Sequence, residues 1–480
     1  MEHLDVIIVG AGLSGIGAAY HIGSRCPDKR YAILEGRKTS GGTWDLFRYP
    51  GLRSDSDMFT LGYAFRPWTG EKAIADGASI LSYVRDTARE HGIDQHIRYE
   101  HRVLRAAWST TYARWTLDVQ VRGETTRLSC SFLYLCSGYY DYERGHTPEL
   151  PGRDAFSGRV IHPQHWPDDL DVTGKRVVVL GSGATAVTLV PALAAQAAHV
   201  TMLQRSPTYV MALPARDAVA DRVRALFPAS FAHKLVRAKN VLVAQLFYQL
   251  SRRAPAIAKR LIRAGVVSAL PGGYDVDTHF SPRYDPWDQR VCFVPDGDLF
   301  RAISSGRASV VTDRVRTLVP DGIVLESGAL LPADILVTAT GLELLALGGV
   351  ELAVDGAAVD LPSTYTYKGV MLGNVPNLAF CVGYTNASWT LRADLSSGFV
   401  ASVLAYMQSH GRTRCVPELD ARSMTPKPIL DLTSGYVRRS VDRFPKQGSD
   451  APWTLRQNYV LDLLGMKLGE IEDGTLRFSD

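Results

Sequence analysis

Two short glycine-containing motifs have the spacing that most directly indicates chemistry. The first is Gly10-Ala11-Gly12-Leu13-Ser14-Gly15, which follows an apolar stretch typical of a buried strand and opens a helical pattern. Glycines here let the backbone turn tightly and come close to a pyrophosphate, and the helix N-terminus supplies unpaired N–H groups. Glu35 lies twenty residues after Gly15, where a carboxylate can accept a hydrogen bond from a ribose hydroxyl. The motif therefore predicts a dinucleotide site.

The second motif, Gly181-Ser182-Gly183-Ala184-Thr185-Ala186, follows a strand pattern over residues 176–180. Alanine replaces the third glycine, at a position that serves helix–strand packing and tolerates alanine. Where the first motif is followed by an acid, this one is followed by Gln204-Arg205-Ser206. A carboxylate would repel a 2′-phosphate, whereas Arg205 can pair with it and Ser206 can donate to it. The second site is therefore predicted to bind NADP rather than NAD, unless Arg205 serves only in a surface salt bridge.

Two dinucleotide sites in one chain predict two cofactors that exchange a hydride. A disulfide reductase has the same plan, but it needs a redox-active pair of cysteines. The six cysteines are scattered and none forms a C-x-x-C pair: Cys26, Cys130, Cys136, Cys292, Cys381 and Cys415. The electrons must therefore pass to another acceptor, and O2 is the simplest one.

Strand and helix patterns alternate along the chain, which predicts an α/β fold with two Rossmann-like domains. The expected strands are 5–9, 31–34, 176–180, 199–204 and 378–382, and the expected helices are 13–24, 184–196 and 395–407. We also expect a β-ribbon over 98–121, a pair of hairpins over 309–331 and a helical insertion after about residue 212. A loop over 142–158, rich in proline and glycine, is the expected boundary between the two domains.

The composition is that of an ordinary globular protein, with 480 residues, 46% hydrophobic and 21% charged. The N-terminal residues have neither the basic nor the apolar region of a signal peptide, and no stretch is long and apolar enough to span a membrane. Scattered single cysteines suit a reducing compartment, so we expect a cytoplasmic protein. No residues have the spacing of a metal site.

The net charge of +4 is too small to indicate nucleic-acid binding, but it is unevenly distributed. Residues 214–270 contain eleven lysines and arginines and only two acids, Asp217 and Asp221. A basic amphipathic segment of this kind can contact a membrane surface or cover an apolar pocket. The alternative is an ordinary solvated helical face.

Three further motifs carry a resemblance to a known family. Residues 156–167 match the pattern F-x-G-x-x-x-H-x-x-x-W-P, with His162 and Trp166 at its characteristic positions. Gly41-Gly42-Thr43-Trp44, Tyr49-Pro50-Gly51 and Asp55 match a second pattern, and residues 334–341 match D-x-x-x-x-A-T-G. Together they resemble the type I Baeyer–Villiger monooxygenases. The related flavin-containing monooxygenases usually carry Tyr or Phe in place of Trp166.

The resemblance implies a division of the chain and a set of cofactor contacts. Residues 1–150 and 342–480 would form an FAD-binding domain, and 151–209 and 287–341 an NADP-binding domain that is interrupted by a helical insertion at 210–286. With the glycines Gly10, Gly12 and Gly15, the residues expected to bind FAD are Ser14, Glu35, Thr43, Trp44, Asp45, Leu46, Asp55 and Val103. Those expected to bind NADP are Arg53, Ser54, Asp55, Gly181, Ser182, Gly183, Ala184, Thr185, Ala186, Val187, Arg205 and Ser206.

The resemblance also implies catalytic roles. Arg290 matches the family's catalytic arginine, Asp55 the carboxylate that positions it, and His162 a residue of the hinge between domains. A fixed guanidinium would stabilise the negative charge on a C4a-peroxyflavin and on the adduct that it forms with a ketone. Taken alone, Arg290 could instead pair with Asp288 or Asp298.

Other residues keep structural alternatives. Asp55 could belong to a helix-capping cluster over residues 54–57. His162 and His165 are more typical of structural histidines than of proton carriers, and Trp389 suits either a pocket wall or the core.

The sequence thus predicts an NADPH- and O2-dependent FAD monooxygenase that inserts oxygen beside a ketone carbonyl to give an ester. Its partners would be ketones or sulfur-containing small molecules, since sulfides and thioamides are soft targets for the same oxidant. One alternative is a flavin-containing monooxygenase restricted to oxygenation of nitrogen and sulfur. The other is a catalytically silent protein that senses dinucleotides.

Overall fold

A computed structural model describes residues 1–420 and 424–480 of the chain. It has the α/β architecture that the sequence predicts, with two large sheets. The strands in the first half of the chain are β1 (Glu2–Val9), β2 (Tyr31–Leu34), β3 (Ile97–Arg98), β4 (His101–Ser109), β5 (Arg114–Val121), β6 (Glu124–Leu135), β7 (Tyr140–Gly145), β8 (Arg159–Ile161), β9 (Arg176–Leu180), β10 (His199–Gln204) and β11 (Val210–Leu213).

The later strands are β12 (Cys292–Pro295), β13 (Ala308–Thr312), β14 (Val315–Val319), β15 (Gly322–Leu325), β16 (Leu330–Pro332), β17 (Ile335–Thr338), β18 (Leu342–Leu344), β19 (Glu351–Val354), β20 (Ala357–Ala358), β21 (Thr366–Tyr367), β22 (Met371–Leu372), β23 (Leu378–Phe380), β24 (Arg414–Pro417), β25 (Lys427–Pro428), β26 (Lys446–Gln447) and β27 (Leu476–Ser479).

The helices are α1 (Leu13–Arg25), α2 (Thr43–Leu46), α3 (Met58–Leu61), α4 (Gly77–Glu90), α5 (Ala184–Leu193), α6 (Ala218–Leu226), α7 (Ala229–Arg253), α8 (Pro255–Ala269), α9 (Val276–Phe280), α10 (Asp298–Ser304), α11 (Trp389–Ser409), α12 (Gly435–Arg438) and α13 (Tyr459–Lys467). Within residues 1–420 and 424–480, none of the helices combines the length and the apolar composition that crossing a membrane requires.

The first large sheet has eleven strands, with the central order β4-β5-β6-β1-β2-β3. β1 lies between β2 and β6 and is parallel to both. β6 is long enough to have two neighbours on its other side: Cys130 pairs with Trp115 of β5, and Leu135 pairs with Phe380 of β23. Through β23 the C-terminal part of the chain returns to the sheet that contains its N-terminus.

The second large sheet has five parallel strands in the order β13-β10-β9-β17-β8. Strands β9 and β17 at its centre are short apolar stretches, as expected where helices and connections cover both faces of a sheet. Val177, Val179 and Val337 are accordingly buried. β9, α5 and β10 form the strand–helix–strand unit predicted around the second glycine motif, although α5 ends at Leu193, three residues before the predicted end.

The chain passes between the two sheets twice, and the two connections run side by side. β7 leads out of the first sheet and β18 leads back, and the two strands pair antiparallel, with Tyr140 opposite Leu344 and Gly145 opposite Leu342. The predicted loop over 142–158 is therefore wrong at its start, since residues up to Gly145 belong to β7. Pairing with the return connection satisfies backbone groups that a single loop would leave to solvent.

Two other predicted elements differ from the structure. β13 belongs to the second large sheet, so the three-stranded meander of β14, β15 and β16 begins only at Val315. Helix α11 begins at Trp389, six residues before the predicted start. It is buried around most of its circumference, including Arg392 and Asp394, so it lacks the one-sided apolar pattern that marks a surface helix.

Four helices, α6 to α9, lie between β11 and β12, which pair parallel to each other. The range 210–286, expected to be a helical insertion, therefore opens with a strand, and its helices begin at Ala218.

The C-terminal helix α13 is fixed to α11 by a buried ion pair. The Arg392 guanidinium, which is 1% exposed, contacts the Asp462 carboxylate and also donates to the carbonyl of Lys368. The Tyr384 hydroxyl donates to the same carboxylate over 2.7 Å. Asp462 is therefore the main compensation for a positive charge that has almost no access to water.

Replacing Asp462 should destabilise the protein strongly. We expect Asp462→Ala to lower the free energy of unfolding by about 3–5 kcal/mol, because it leaves the Arg392 charge buried and unpaired. The matched control is Asp480→Ala, which removes an exposed partner of Arg412 and should cost at most about 1 kcal/mol. Denaturant unfolding measures both variants. Equal losses would mean that the buried pair does not hold α13 in place.

Candidate functional site

A cavity of about 460 Å³ adjoins both glycine motifs, a volume typical of small-molecule sites. Residues at the carboxyl ends of β1, β2 and β6 in the first large sheet line it, where α/β proteins usually bind ligands. The second large sheet contributes through the first turns of α5, the helix that follows β9. The first motif contributes Gly10, Gly12, Leu13 and Ser14, and the second contributes Ala184 and Thr185.

The first motif has the close backbone packing that its glycines predict. Gly10 has a φ of +103°, and a Cβ atom there would lie 2.8 Å from the carbonyl oxygen of Cys136 on the neighbouring strand. A Cβ on Gly15 would lie 1.8 Å from the carbonyl oxygen of Gly10. Gly15 therefore does not line the cavity but lets α1 begin directly against the turn.

Glu35 lies in the cavity wall at the end of β2 and is already oriented by the backbone. One carboxylate oxygen accepts the Ala11 N–H over 2.8 Å and the other accepts the Arg37 N–H over 2.9 Å. Burial raises the pKa of Glu35 despite these hydrogen bonds. The remaining lone pairs of the carboxylate can accept further donors from a ligand.

All four residues of the short helix α2 were expected to bind FAD, but only two of them line the cavity. Thr43 and Trp44 line the cavity, and so does Val103 of β4. The structure places Asp45 and Leu46 outside that lining. The buried Asp45 carboxylate instead accepts hydrogen bonds from Arg37 and Arg85, over 2.6 and 2.7 Å.

The negative charge of Asp45 is balanced by two arginines of the protein itself, Arg37 and Arg85. Its burial opposes ionisation, but a hydrogen bond from Thr39 and the charges of Arg37 and Arg85 outweigh burial and lower its pKa. Since Arg37 lines the cavity, Asp45 helps to position a charged residue of the cavity wall.

The second motif repeats the arrangement of the first. Gly181 has a φ of +137°, and a Cβ atom there would lie 2.2 Å from the carbonyl oxygen of Ala339 at the end of β17. A Cβ on Gly183 would meet no atom within 4 Å, so the backbone there is open to a ligand. Ala186 and Val187 are buried in the core of the second sheet and do not reach the cavity.

Arg205 and Ser206 lie at the end of β10, outside the cavity and exposed. Arg205 has no ion pair within the described ranges, 1–420 and 424–480, so the alternative of a surface salt bridge is not observed. The Ser182 hydroxyl donates to the carbonyl of Ser206 over 3.1 Å, which joins the motif to the residues after β10. The motif and Arg205 thus form one open surface at the end of the second sheet.

Arg290 and Asp55 come together in the cavity wall. Arg290 Nη1 lies 3.8 Å from Asp55 Oδ2, and about a third of each side chain is exposed, at 33% and 28%. The charge of Asp55 raises the pKa of Arg290 by more than burial lowers it. The two aspartates that could have held Arg290 instead are engaged elsewhere: Asp288 with Arg252 and Asp298 with Arg53.

The capping alternative for Asp55 is likewise not observed, since Asp57 caps α3 by accepting the N–H of Thr60. Arg53 and Ser54 line the cavity beside Asp55. The Arg53 guanidinium contacts the Asp298 carboxylate over 2.5 Å and so ties the Asp55 loop to the first turn of α10.

Some lining residues lay beyond the sequence prediction. Tyr139 and Tyr140 lie in the connection after β6, where β7 begins, and line the cavity near Arg290. Burial raises the pKa of both phenols. Their position just after an apolar strand of a parallel arrangement was the available signal. The others missed include Tyr142, Thr188, Phe293 and Tyr384.

Trp389 and His162 have defined roles in the structure. Trp389 lines the cavity, and its indole N–H donates to the Ser14 hydroxyl over 2.7 Å. His162 lies outside the cavity lining, and burial lowers its pKa. Its Nδ1 accepts the Gln164 N–H, so Nε2 carries the proton and donates to the Gly341 carbonyl over 3.1 Å. His162 thus connects the two chain segments that pass between the sheets.

Comparison with known proteins agrees with this geometry. The family model for flavin-binding monooxygenase-like proteins matches residues 73–236, and that for NAD(P)-binding Rossmann-like domains matches residues 8–70. The chain is 54% identical over 479 residues to the FAD-containing monooxygenase EthA of Mycobacterium tuberculosis, covering 100% of this chain and 98% of EthA. The chain belongs to the FAD-containing monooxygenases.

Other members of the family and solved structures are similar over the whole chain. The probable FAD-binding monooxygenase AlmA of Acinetobacter baylyi is 44% identical over 480 residues, which cover 99% of this chain and 96% of AlmA. The structure of steroid monooxygenase bound to NADP superposes with a TM-score of 0.75 at 21% identity, covering 100% of both chains. That of cyclohexanone monooxygenase from Rhodococcus sp. Phi1 bound to NADP+ gives 0.74 at 18% identity, covering 100% of this chain and 99% of the other.

These findings confirm the predicted family and fold class. The predicted pair of cofactors, FAD and NADP, agrees with the names of these relatives and neighbours. In this FAD-containing monooxygenase, the first motif fits a dinucleotide on two structural observations: the close approach at Gly10 and the oriented Glu35 carboxylate in the cavity wall.

A change at Glu35 should therefore weaken FAD binding. We expect Glu35→Gln to raise the Kd for FAD about 10- to 100-fold, because a charge-assisted hydrogen bond to the cofactor is lost. The control is Glu143→Gln, since Glu143 also borders the cavity but its side chain is 72% exposed and pairs with Arg102 at the surface. Flavin titration of the apoprotein measures both. An unchanged Kd for Glu35→Gln would show that the sugar is bound elsewhere.

Proposed function

We propose that this FAD-containing monooxygenase uses NADPH and O2 to insert an oxygen atom beside a ketone carbonyl, giving an ester. The observation that carries the proposal is the position of Arg290, held against Asp55 in a cavity that adjoins both dinucleotide motifs.

The reaction requires that the protein bind both FAD and NADP. When bound, FAD reduced by NADPH supplies the activation of O2. The first motif with Glu35, Thr43 and Trp44 would hold FAD, and the second motif with Arg205 would hold NADP. The exposed guanidinium of Arg205 and the open backbone at Gly183 support this assignment. The solved structures with similar folds that hold NADP support it as well.

Arg290 supplies the electrostatic part of the reaction. Oxygen transfer to a ketone places negative charge on the former carbonyl oxygen, and a guanidinium fixed in advance stabilises this charge without reorganisation. Arginine suits this task because it keeps its proton when buried, whereas a buried lysine can lose its own. Asp55 orients the guanidinium and, through its charge, favours the protonated form.

The surrounding side chains restrict water and orient the substrate. Tyr139, Tyr140 and Trp389 line the cavity together, and the Tyr139 and Trp389 rings lie 5.1 Å apart. Burial keeps both phenols protonated, so each can donate a hydrogen bond. The aromatic part of the wall favours an apolar ketone or sulfur compound as substrate.

Arg290→Ala should separate oxygen insertion from cofactor turnover. We expect ester formation from a cyclic ketone to fall about 10²- to 10³-fold, while NADPH is still oxidised and H2O2 accumulates. Oxygenation of a thioether should fall less, because no oxyanion forms at a carbonyl. Product analysis with both substrates, beside Arg252→Ala as the control, measures this. Retained ester formation would contradict the role of Arg290.

The same assay distinguishes the main alternative. If the unmodified protein converts the thioether to its sulfoxide but forms no ester from any ketone, then the activity is restricted to nitrogen and sulfur.

Arg205→Ala tests the second cofactor site. We expect the KM for NADPH to rise about 10- to 100-fold with kcat changed less than about twofold, because a charge-assisted contact to the 2′-phosphate is lost. NADH lacks this phosphate, so its KM should stay the same in the variant. Steady-state kinetics with both cofactors provides the measurement, and an equal KM for NADPH in both proteins would place the 2′-phosphate elsewhere.

We further propose that the protein works in the cytoplasm. All six cysteines are buried and unpaired with one another, as suits a reducing compartment.

A further inference from the structure

Exposed apolar side chains are concentrated in two segments of the chain. Fifteen of the twenty large hydrophobic residues that are exposed in the described part of the chain lie between residues 219 and 267 or between 460 and 468. They are Val219, Leu226, Phe227, Phe231, Leu235, Leu242, Val243, Leu246, Ile257, Leu261, Val267, Val460, Leu461, Leu464 and Leu468. A concentration of this kind marks an interaction surface.

On α7 these residues form a continuous stripe. Phe231, Leu235, Leu242 and Leu246 are spaced four, seven and four residues apart, which puts them on one side of the helix. The opposite side is already used for packing. Its Arg237 is buried and donates to the carbonyls of Phe59 and Gly62, over 2.9 and 2.7 Å. The exposed stripe is therefore a second apolar face of a helix that is anchored through its first.

Neighbouring helices extend the stripe. Ile257 and Leu261 stand one turn apart on the exposed side of α8, which packs beside α7. Val241 of α7 and Tyr459 of α13 belong to one buried cluster, so the exposed leucines of α13 lie close to α7. We refer to the exposed side chains of α6, α7, α8 and α13 as the apolar–basic face.

The two longest helices of this face, α7 and α8, carry only positive charges. Residues 229–269 contain eight lysines and arginines and no acid. Lys234, Arg253 and Arg260 are exposed, and none of them has an ion pair within the described residues. Long basic side chains of this type can lay their methylene groups on apolar surface while their charge reaches outward.

The positive charge of α7 and α8 favours a negatively charged binding partner for this face. A second copy of the chain docked symmetrically would bring the same cations together, which is unfavourable. Anionic lipid headgroups instead supply opposite charge at the same depth as an apolar boundary. We infer that the apolar–basic face docks on the surface of an anionic lipid bilayer, with its leucines in the headgroup–acyl boundary and its free cations on the lipid phosphates.

Vesicle co-sedimentation of the full-length, FAD-loaded protein tests this inference. The probes are vesicles of phosphatidylcholine alone and vesicles of equal parts phosphatidylcholine and phosphatidylglycerol. We expect binding to the vesicles that contain phosphatidylglycerol, and release at high salt because salt screens the headgroup attraction. Absence of binding to either vesicle, or equal binding to both, would overturn the inference.

Two variants separate the apolar and the charged contributions. Leu242→Ser with Leu246→Ser should weaken binding about tenfold or more, because less apolar surface enters the boundary. Lys234→Ser, Arg253→Ser and Arg260→Ser together should weaken it about fivefold for each cation removed. The control combines Arg316→Ser and Leu330→Ser, an exposed cation and an exposed leucine on the β14–β16 meander, and should bind as the unmodified protein does.

All substituted side chains are exposed, so flavin content and unfolding should not change. Equal binding by all variants would overturn the inference. Self-association that is lost in the double leucine variant, without any vesicle binding, would overturn it as well and assign the face to a second copy.

Discussion

The contact between Arg290 and Asp55 is the constraint on which the arrangement of the site depends. The two residues come from segments far apart in the chain: Asp55 from the loop that follows α2, and Arg290 from the segment that leads into β12. About two thirds of the Arg290 side chain is withdrawn from water, and the Asp55 carboxylate is an opposing charge beside it, so the contact favours keeping the two segments together. A second ion pair, Arg53 with Asp298, links the same loop to the first turn of α10. Together they fix the relation between the two glycine motifs on either side of the cavity.

Local chemistry in the sequence was sufficient to predict the framework around that contact. Strands β2, β9 and β10 have the predicted bounds, because each is a short apolar stretch between clear breaks. Both glycine motifs form the expected turns, because a carbonyl oxygen of the neighbouring strand leaves no room for a Cβ at Gly10 or Gly181. Arg290 is different. Its neighbourhood contains Asp288 and Asp298 as equally plausible partners, and only the fold shows that Arg252 and Arg53 occupy them.

The places where the structure differs from the sequence pattern have physical causes that a linear sequence does not display. Successive residues of a helix point about 100° apart, so in α2 Thr43 and Trp44 reach the cavity while Asp45 turns toward Arg37 and Arg85. The start of α11 was missed because a helix that is buried on most sides shows no amphipathic period, and its Arg392 and Asp394 resemble surface residues. Tyr139 and Tyr140 reach the cavity through sheet order, since β6 lies beside β1 only in the folded chain.

A crystal structure of the protein with both FAD and NADP bound would test the two cofactor sites and Arg290 most directly. We expect FAD at the start of α1 with a ribose hydroxyl on Glu35, and NADP at the start of α5 with its 2′-phosphate on Arg205. Arg290 should lie between the two cofactors and remain in contact with Asp55 or with a cofactor. A structure in which NADP lies away from Arg205, or in which Arg290 points out of the cavity, would contradict this expectation.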